Sequence, residues 1–334
     1  MVFVEPILIY VFLSILIISI SKYLGYFDKP NTNKRTVHVE STLNTGGLII
    51  YLFFLITTFR YEFDHNIKLI IYLGSIISFI GFIDDRKNLS PKIKIITITA
   101  TCIYLIFNDI NITDLGEYEY IGKLYLGKFG FIFLILASGL LINAINYIDG
   151  IDGLLLIFFL SCLIYYSILI NDNNLNFLIK ILMLPVIINL ILNLLPIKTN
   201  LKLFTGDVGS LFIGFFISFI TIYLYKNHGI HPAFLIWALW YPVYDFLFVS
   251  TNRLIKRKSV FNADKSHLHH DLLLRYNNNH LVVLLIFIAL NTLIIFLGYK
   301  ISEISKFFSL IFFGFGFFVY FFLRKKINIE KIKL

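Results

Sequence analysis

Eleven apolar runs dominate the chain: Val4–Ser21 and residues 47–59, 67–83, 93–107, 130–148, 153–170, 175–195, 210–225, 232–252, 281–299 and 307–323. A bilayer core takes about 20 apolar helical residues to cross, and most of these runs meet or approach that length. Backbone inside lipid must satisfy its own hydrogen bonds, so uninterrupted runs of this kind span as helices. The predicted fold class is therefore an all-α integral membrane protein, one domain over residues 1–334 with about 11 transmembrane helices. A chain that is 58% hydrophobic and only 15% charged, with 36 Phe, is not an ordinary soluble domain. Val4–Ser21 lacks a basic leader and a small-residue cleavage site, so it reads as a retained span and not a removed signal. Cys102 and Cys162 sit inside apolar runs and read as small buried hydrophobes.

Eleven spans put the two termini on opposite sides. With the N-terminus outside, residues 22–46, 84–94, 143–153, 196–209 and 253–280 and the tail from Arg324 face inward, and they carry 21 of the 29 Lys and Arg. The positive-inside rule selects that orientation and a cytoplasmic C-terminus. The net charge of +9 is then topological and implies no nucleic acid. Arg324, Lys325, Lys326, Lys331 and Lys333 read as contacts to anionic lipid. On the outer side, Tyr118–Phe129 alternates aromatic and apolar residues around Gly122 and Gly127, the pattern of a short hairpin.

The polar chemistry collects on one side. The central stretch is Asn143-Ala-Ile-Asn-Tyr-Ile-Asp-Gly-Ile-Asp-Gly-Leu154. Asn143, Asn146 and Gly150 share a face if the helix continues that far, and Asp149 and Asp152, three apart, would be neighbours on a second face. Four more polar stretches fall on the same predicted side: Asn31–Gly47 with Lys34, His38 and the Gly46-Gly47 pair; Phe82–Lys94; Phe204–Ser210; and Ala263–Leu272. Asp84 and Asp85 end an apolar run, and adjacent helical side chains diverge by about 100°. One can meet a ligand while the other orients a partner, and two close acids split their pKa values in a way that suits base or nucleophile duty. The bland alternative is a solvated helix end paired with Arg86 or Lys87. Lys94 follows Pro91 in what reads as a first helical turn, where a cation opposes the helix dipole; either a phosphate ligand or a positive-inside anchor accounts for it. Asp207 opens another helix, either as a plain cap or, with Asn146, as the hard-oxygen set that Mg²⁺ takes while leaving its other positions to water and phosphate. His267, His269 and His270 have no Cys and no obvious fourth ligand at zinc spacing, so with Arg253, Arg257 and Lys265 they read as phosphate or sugar contacts. Asp245 lies well inside a span and needs a partner; Arg253 or another cation at the cytoplasmic edge are the candidates.

Five motifs in order, Lys34…His38…Gly46-Gly47, Asp84-Asp85, Asn143-x-x-Asn146-x-x-Asp149-Gly-x-Asp152-Gly, Gly206-Asp207-Val-Gly-Ser210 and His267-x-His269-His270, resemble the polyprenyl-phosphate N-acetylhexosamine-1-phosphate transferases. The resemblance covers nearly the whole chain. The Asp-Lys-Ser-His-Leu-His-His form resembles the bacterial branch that uses simple UDP-N-acetylhexosamines, not the muramoyl-pentapeptide branch. Two departures stand out: Asn88 where many of these enzymes carry a third Asp, and no Pro-x-Pro before the glycine pair. The resemblance implies that undecaprenyl phosphate attacks the β-phosphorus of a UDP-sugar and releases UMP at the cytoplasmic face of a bacterial inner membrane. It implies Mg²⁺ on Asp207 and Asn146, with Mn²⁺ as the alternative, and the catalytic pair Asp84 and Asp85. Lys94 would hold phosphate, and a covalent aspartyl-phosphate route stays open beside direct transfer. Asn143, Asp149 and Asp152 would shape the substrate pocket, Phe204 would stack on uracil, and His267, His269 and His270 would contact diphosphate or sugar. A homodimer is left open.

Two other classes compete. A transporter or flippase wants ionisable groups or broken helices near the bilayer midplane, often in repeated halves, yet here only Asp245 lies deep. A non-catalytic scaffold predicts lost acidic residues, and only the position of Asn88 departs.

Overall fold

The computed structural model describes residues 3–28, 42–87, 89–196, 199, 201–257 and 266–333. Lys34, His38, Asn88 and Lys265 lie outside the described residues. The described chain is nearly all helix: α1 (Val4–Tyr23), α2 (Gly46–Arg60), α3 (His65–Lys87), α4 (Pro91–Phe107), α5 (Gly130–Ile148), α6 (Leu154–Leu169), α7 (Asn173–Leu194), α8 (Gly206–His228), α9 (Pro232–Leu235), a 3-10 turn (Ile236–Leu239), α10 (Trp240–Ile255), α11 (Leu268–Arg275), α12 (His280–Ile304) and α13 (Lys306–Lys333). Every apolar run of the sequence is helical. Among the described residues, eight helical stretches are long and apolar enough to cross a membrane, with α9, the 3-10 turn and α10 forming one of them. The helices α2 and α6 are apolar but shorter, with 15 and 16 residues. The chain is a multi-pass membrane protein.

Two short antiparallel strand pairs qualify the all-α expectation. One is the expected hairpin: β3 (Asp114–Tyr118) pairs with β4 (Gly122–Tyr125), so it begins four residues before the predicted Tyr118. The other, β1 (Phe27–Asp28) with β2 (Thr42–Leu43), joins the two ends of the first polar loop.

The helix α8 is the axis of the bundle. Buried residues make up 83% of its most apolar stretch, against 61% or less for the other seven long stretches. It packs on α2, α3, α5 and α6. The packing is close because glycines stand at the crossings. A Cβ on Gly47 of α2 would lie 2.3 Å from Gly209 Cα, and one on Gly81 of α3 would lie 2.5 Å from the Asp207 carbonyl. A Cβ on Gly214 would lie 2.9 Å from Ile142 Cα of α5. Without much hydrophobic drive between helices in lipid, such backbone proximity is what gains dispersion contact. Buried polar bonds add a second tie: Trp240 Nε1 donates to Asn291 Oδ1 at 2.8 Å, and Asn291 Nδ2 donates to Ser161 Oγ at 2.8 Å, joining α10, α12 and α6. Cys102 and Cys162 are buried and free, as their setting suggested.

Gly81→Val forces a branched side chain against the backbone of α8. It is expected to destabilise by about 1–3 kcal/mol or more, read as a lower melting temperature in detergent. Gly314→Ala, whose Cβ meets open space, is expected to leave the melting temperature unchanged or slightly raised.

Candidate active site

The polar residues of four elements converge on the N-terminus of α8. Residues 203–205 run alongside the start of α2: Phe204 N–H donates to Leu43 O at 2.9 Å, Gly46 N–H to Phe204 O at 2.9 Å and Gly47 N–H to Thr205 O at 3.0 Å. Gly206 has φ +67, and a Cβ there would sit 2.2 Å from Asn44 Oδ1, so glycine is needed for the turn into α8. The cap position is Thr205, not Asp207, which stands in the first turn. The carboxylate of Asp207 accepts from Asn146 Nδ2 at 3.0 Å, and Asn146 Nδ2 also donates to Ser210 Oγ at 2.8 Å.

Asp84 and Asp85 diverge as adjacent helical residues should. Asp85 Oδ1 accepts the backbone N–H of Asp207 at 3.0 Å, while Oδ2 accepts from Tyr26 Oη at 3.0 Å. Asp85 therefore supplies the cap that α8 lacks from its own side chains. The Arg86 guanidinium lies over the rings of Tyr26 and Phe82, at 5.1 and 4.7 Å, and not against the acids. Asp84 is buried; its Oδ1 accepts Leu89 N–H at 2.7 Å, and its Oδ2 pairs with Lys94 Nζ. Lys94 Nζ also lies 3.6 Å from Asp207 Oδ2. The cation opposed to the dipole of α4 thus has its reason in two carboxylates. Pro91 opens α4 at its first turn, after Ser90 at the cap position.

The central motif folds differently from the reading that placed its residues on two helix faces. The helix α5 ends at Ile148, Asp149 is its C-cap, and residues 149–153 form a turn before α6. Gly150 is therefore off the helix, and Asp149 and Asp152 are not helical neighbours. Gly153, φ +77, makes the entry into α6. Asn143 Nδ2 donates to Gly139 O of its own helix at 2.7 Å, so the hydrogen bonds bring Asn146 but not Asn143 to Asp207. Asp152 turns to Lys202, whose Nζ donates to Oδ2 at 2.5 Å and lies 5.5 Å from the Phe204 ring centroid. Lys202 is buried and was missed by sequence reading; its place two residues before Phe204 is the only signal that pointed to it. Asp149 is open to the cleft. Enclosure by protein, then the charges of Asp207, Asp85 and Asp152, push its carboxyl well above the usual range. Contact with solvent reduces the size of that shift but not its direction.

The histidines approach from α11. His269 and His270 flank the turn, for a Cβ on Gly150 would meet His270 Cε1 at 2.8 Å and His269 Nε2 at 2.9 Å. Tyr241 Oη and His269 Nδ1 are 2.9 Å apart, and among the described residues His269 Nε2 has no hydrogen-bond partner. Burial, then the neighbouring His270 and His267, hold this imidazole well below its usual pKa, so it is neutral. His267 Nδ1 lies 2.6 Å from Asp245 Oδ2. The partner of Asp245 is thus a histidine and not Arg253 or another cationic edge residue. Among the described residues, no three His, Cys, Asp or Glu side chains converge closely enough to hold a metal unaided.

A family model described as glycosyl transferase family 4 matches residues 67–225. The chain is 31% identical over 262 residues to the undecaprenyl-phosphate alpha-N-acetylglucosaminyl 1-phosphate transferase of Escherichia coli (strain K12), covering 75% of this chain and 70% of that one. It is 27% identical over 280 residues to the Salmonella typhi protein of the same name, covering 80% and 75%. It is 29% identical over 293 residues to the decaprenyl-phosphate N-acetylglucosaminephosphotransferase of Mycobacterium leprae (strain TN), covering 76% and 72%.

A raised Asp149 carboxyl favours the protonated form in the fold. Its contribution to stability is fully present below the unfolded value, about 3.9, and is lost as pH rises through the raised folded value. Asp149→Asn is therefore expected to melt above the parent protein near neutral pH, with the gap closing toward about pH 4. A variant that melts below the parent at neutral pH would show that the ionised group is held favourably.

Proposed function

The chain belongs to glycosyl transferase family 4, the polyprenyl-phosphate sugar-1-phosphate transferases, and we propose that it transfers an N-acetylhexosamine 1-phosphate from a UDP-sugar to undecaprenyl phosphate. One observation carries the residue-level reading: Asp84, Lys94, Asp85, Asn146 and Asp207, from α3, α4, α5 and α8, meet at the N-terminus of the most buried helix. A helix N-terminus favours anions, and a diphosphate is the substrate group that would use it. The relatives carry N-acetylglucosamine in their names, which makes UDP-N-acetylglucosamine the first donor to test.

In the proposed reaction an oxygen of the lipid phosphate bonds to the β-phosphorus of the donor. The bond from that phosphorus to the bridging oxygen breaks, and UMP leaves with the electron pair. Lys94 is placed to draw the lipid phosphate toward Asp84, which accepts a proton from it or holds it in line. Both acids have both oxygens engaged, but with different partners: Asp85 holds Tyr26 and the Asp207 backbone N–H that starts α8, whereas Asp84 faces the Lys94 cation, which favours Asp84 for the chemistry and gives Asp85 the work of fixing the start of α8. Asp152, Lys202 and Phe204 form the wall suited to a uracil ring, and the neutral His269 beside Gly150 suits a diphosphate or sugar oxygen. The donor set fits a hard cation. Asp207 and the carbonyl oxygen of Asn146 are oxygen ligands, the carboxylates of Asp84 and Asp85 stand close by, and Mg²⁺ needs only one or two protein oxygens when a diphosphate supplies others. Held there, Mg²⁺, or Mn²⁺ in its stead, supplies charge neutralisation on the diphosphate and the leaving UMP.

The same reading includes about eleven spans, an outer N-terminus and a site on the cytoplasmic face of a bacterial inner membrane. It is supported by the helical form of all eleven apolar runs and by 21 of 29 Lys and Arg falling in the segments that the sequence assigns to one side.

Detergent-purified protein with undecaprenyl phosphate and Mg²⁺ is expected to release UMP from UDP-N-acetylglucosamine or a related donor, with none released when lipid is omitted or metal is chelated. UMP release independent of lipid would overturn the transfer. Asp84→Asn and Asp207→Asn are each expected to lower turnover by at least about 10²-fold while the protein still inserts; near-normal turnover in either removes the role given to that residue. Lys94→Gln removes a cation that competes for the Asp207 carboxylate. It is expected to bind Mn²⁺ about tenfold more tightly by electron paramagnetic resonance, yet turn over more slowly.

A further inference from the structure

The last helix reaches the histidine loop through two side chains that no sequence motif marks. Tyr320 and Arg324 lie at i and i+4 on one face of α13. Arg324 falls where the charge pattern of the tail predicts lipid contact, but the structure turns it inward. It is 1% exposed, with Nη1 donating to Asp271 Oδ2 at 2.6 Å and Nη2 to Ser266 O at 2.7 Å. Its guanidinium carbon lies 5.1 Å from the Phe248 ring centroid. Tyr320 Oη donates to Asp245 Oδ1 at 2.6 Å, which also accepts Leu268 N–H at 3.0 Å. The other oxygen, Oδ2, lies 2.6 Å from His267 Nδ1.

A buried guanidinium is costly unless its carboxylate and carbonyl partners are in place. A snorkelling lysine or arginine would have covered the membrane edge at less cost. The position of these bonds gives the pair a specific use. Asp271 and Ser266 bracket His267, His269 and His270 in sequence, and Asp245 holds the first of them. The bonds from α13 therefore fix both ends of the loop and the ring of His267, while His269 and His270 rest on Gly150, one residue from Asp149. With Nδ1 committed to Asp245, His267 keeps Nε2 for other contacts.

We infer that Tyr320 and Arg324 are positioning residues for the donor, setting the three histidines against the 149–153 turn. The inference rests on the transferase reading, in which those histidines contact the donor's diphosphate or sugar. It separates the two substrates: loosening the loop weakens donor binding and leaves the lipid phosphate site at Lys94 and Asp84 intact.

The test uses full-length protein in detergent with UDP-N-acetylglucosamine, undecaprenyl phosphate and Mg²⁺, comparing the parent with Tyr320→Phe and Arg324→Lys. Tyr320→Phe removes one hydroxyl and keeps the ring; Arg324→Lys keeps the charge and loses the fork. Each is expected to raise the donor KM by about tenfold, with the lipid KM within about twofold of the parent and the melting temperature little changed. In a His267→Ala background, Tyr320→Phe is expected to add almost nothing, since its effect passes through that ring. Unchanged donor KM in both variants, lipid and donor KM moving together with a fall in melting temperature, or full additivity with His267→Ala would each overturn the positioning role. A parent protein that neither turns over nor binds the donor by calorimetry would overturn the transferase reading, and this inference with it.

Discussion

The hydrogen bond from the Asp207 backbone N–H to Asp85 Oδ1 is the joint on which the site depends. A helix start leaves amide groups without partners, and the side chain at the cap of α8 makes no hydrogen bond to them. The acid that answers comes from α3, across a contact that Gly81 allows to close to backbone distance. One bond therefore sets the depth of α8 against α3. It also places Asp84 on the opposite flank of the same helix turn, facing Lys94. If α3 stood a side chain farther away, the cap would be lost and the acids would no longer share a site.

The glycines explain why this arrangement survives in a membrane. Gly47, Gly81, Gly209 and Gly214 each stand where a Cβ would fall within 3 Å of a neighbour's backbone. They bring α2, α3 and α5 onto one end of α8, which is why its N-terminus, buried along the rest of its length, collects polar residues from each. Lys94 then neutralises part of the acidic cluster, against Asp84 and Asp207. Under the proposed reading, that crowding of acids is what a cation and a diphosphate would use.

The histidine loop is held from a different direction. Its anchors, Asp245, Tyr320 and Arg324, lie on α10 and α13, and its rings rest on the turn after α5. The acidic cluster and the histidine loop thus hang on separate helices, one set around α8 and one on α10 and α13.

Much of this protein was readable before any coordinate. Apolar runs of this kind can only be helices in lipid, and each of the eleven is helical, eight of them long and apolar enough to cross a membrane. The Asp84-Asp85 divergence followed from 100° per residue, and the grouping of Asn146, Asp149, Asp207 and the histidines followed from polar stretches lying at the ends of apolar runs. Sequence failed where the partner was distant. That α5 stops at Ile148 depends on the turn into α6, where Asn193 Oδ1 accepts Gly153 N–H, a bond across 40 residues. Lys202 and Asp152, His267 and Asp245, and Arg324 and Asp271 are pairs of the same kind. Local pattern carries periodicity and composition, which decide what an element is. Which charge meets which depends on how helices cross, and that is decided by glycines whose neighbours in space are far apart in the chain.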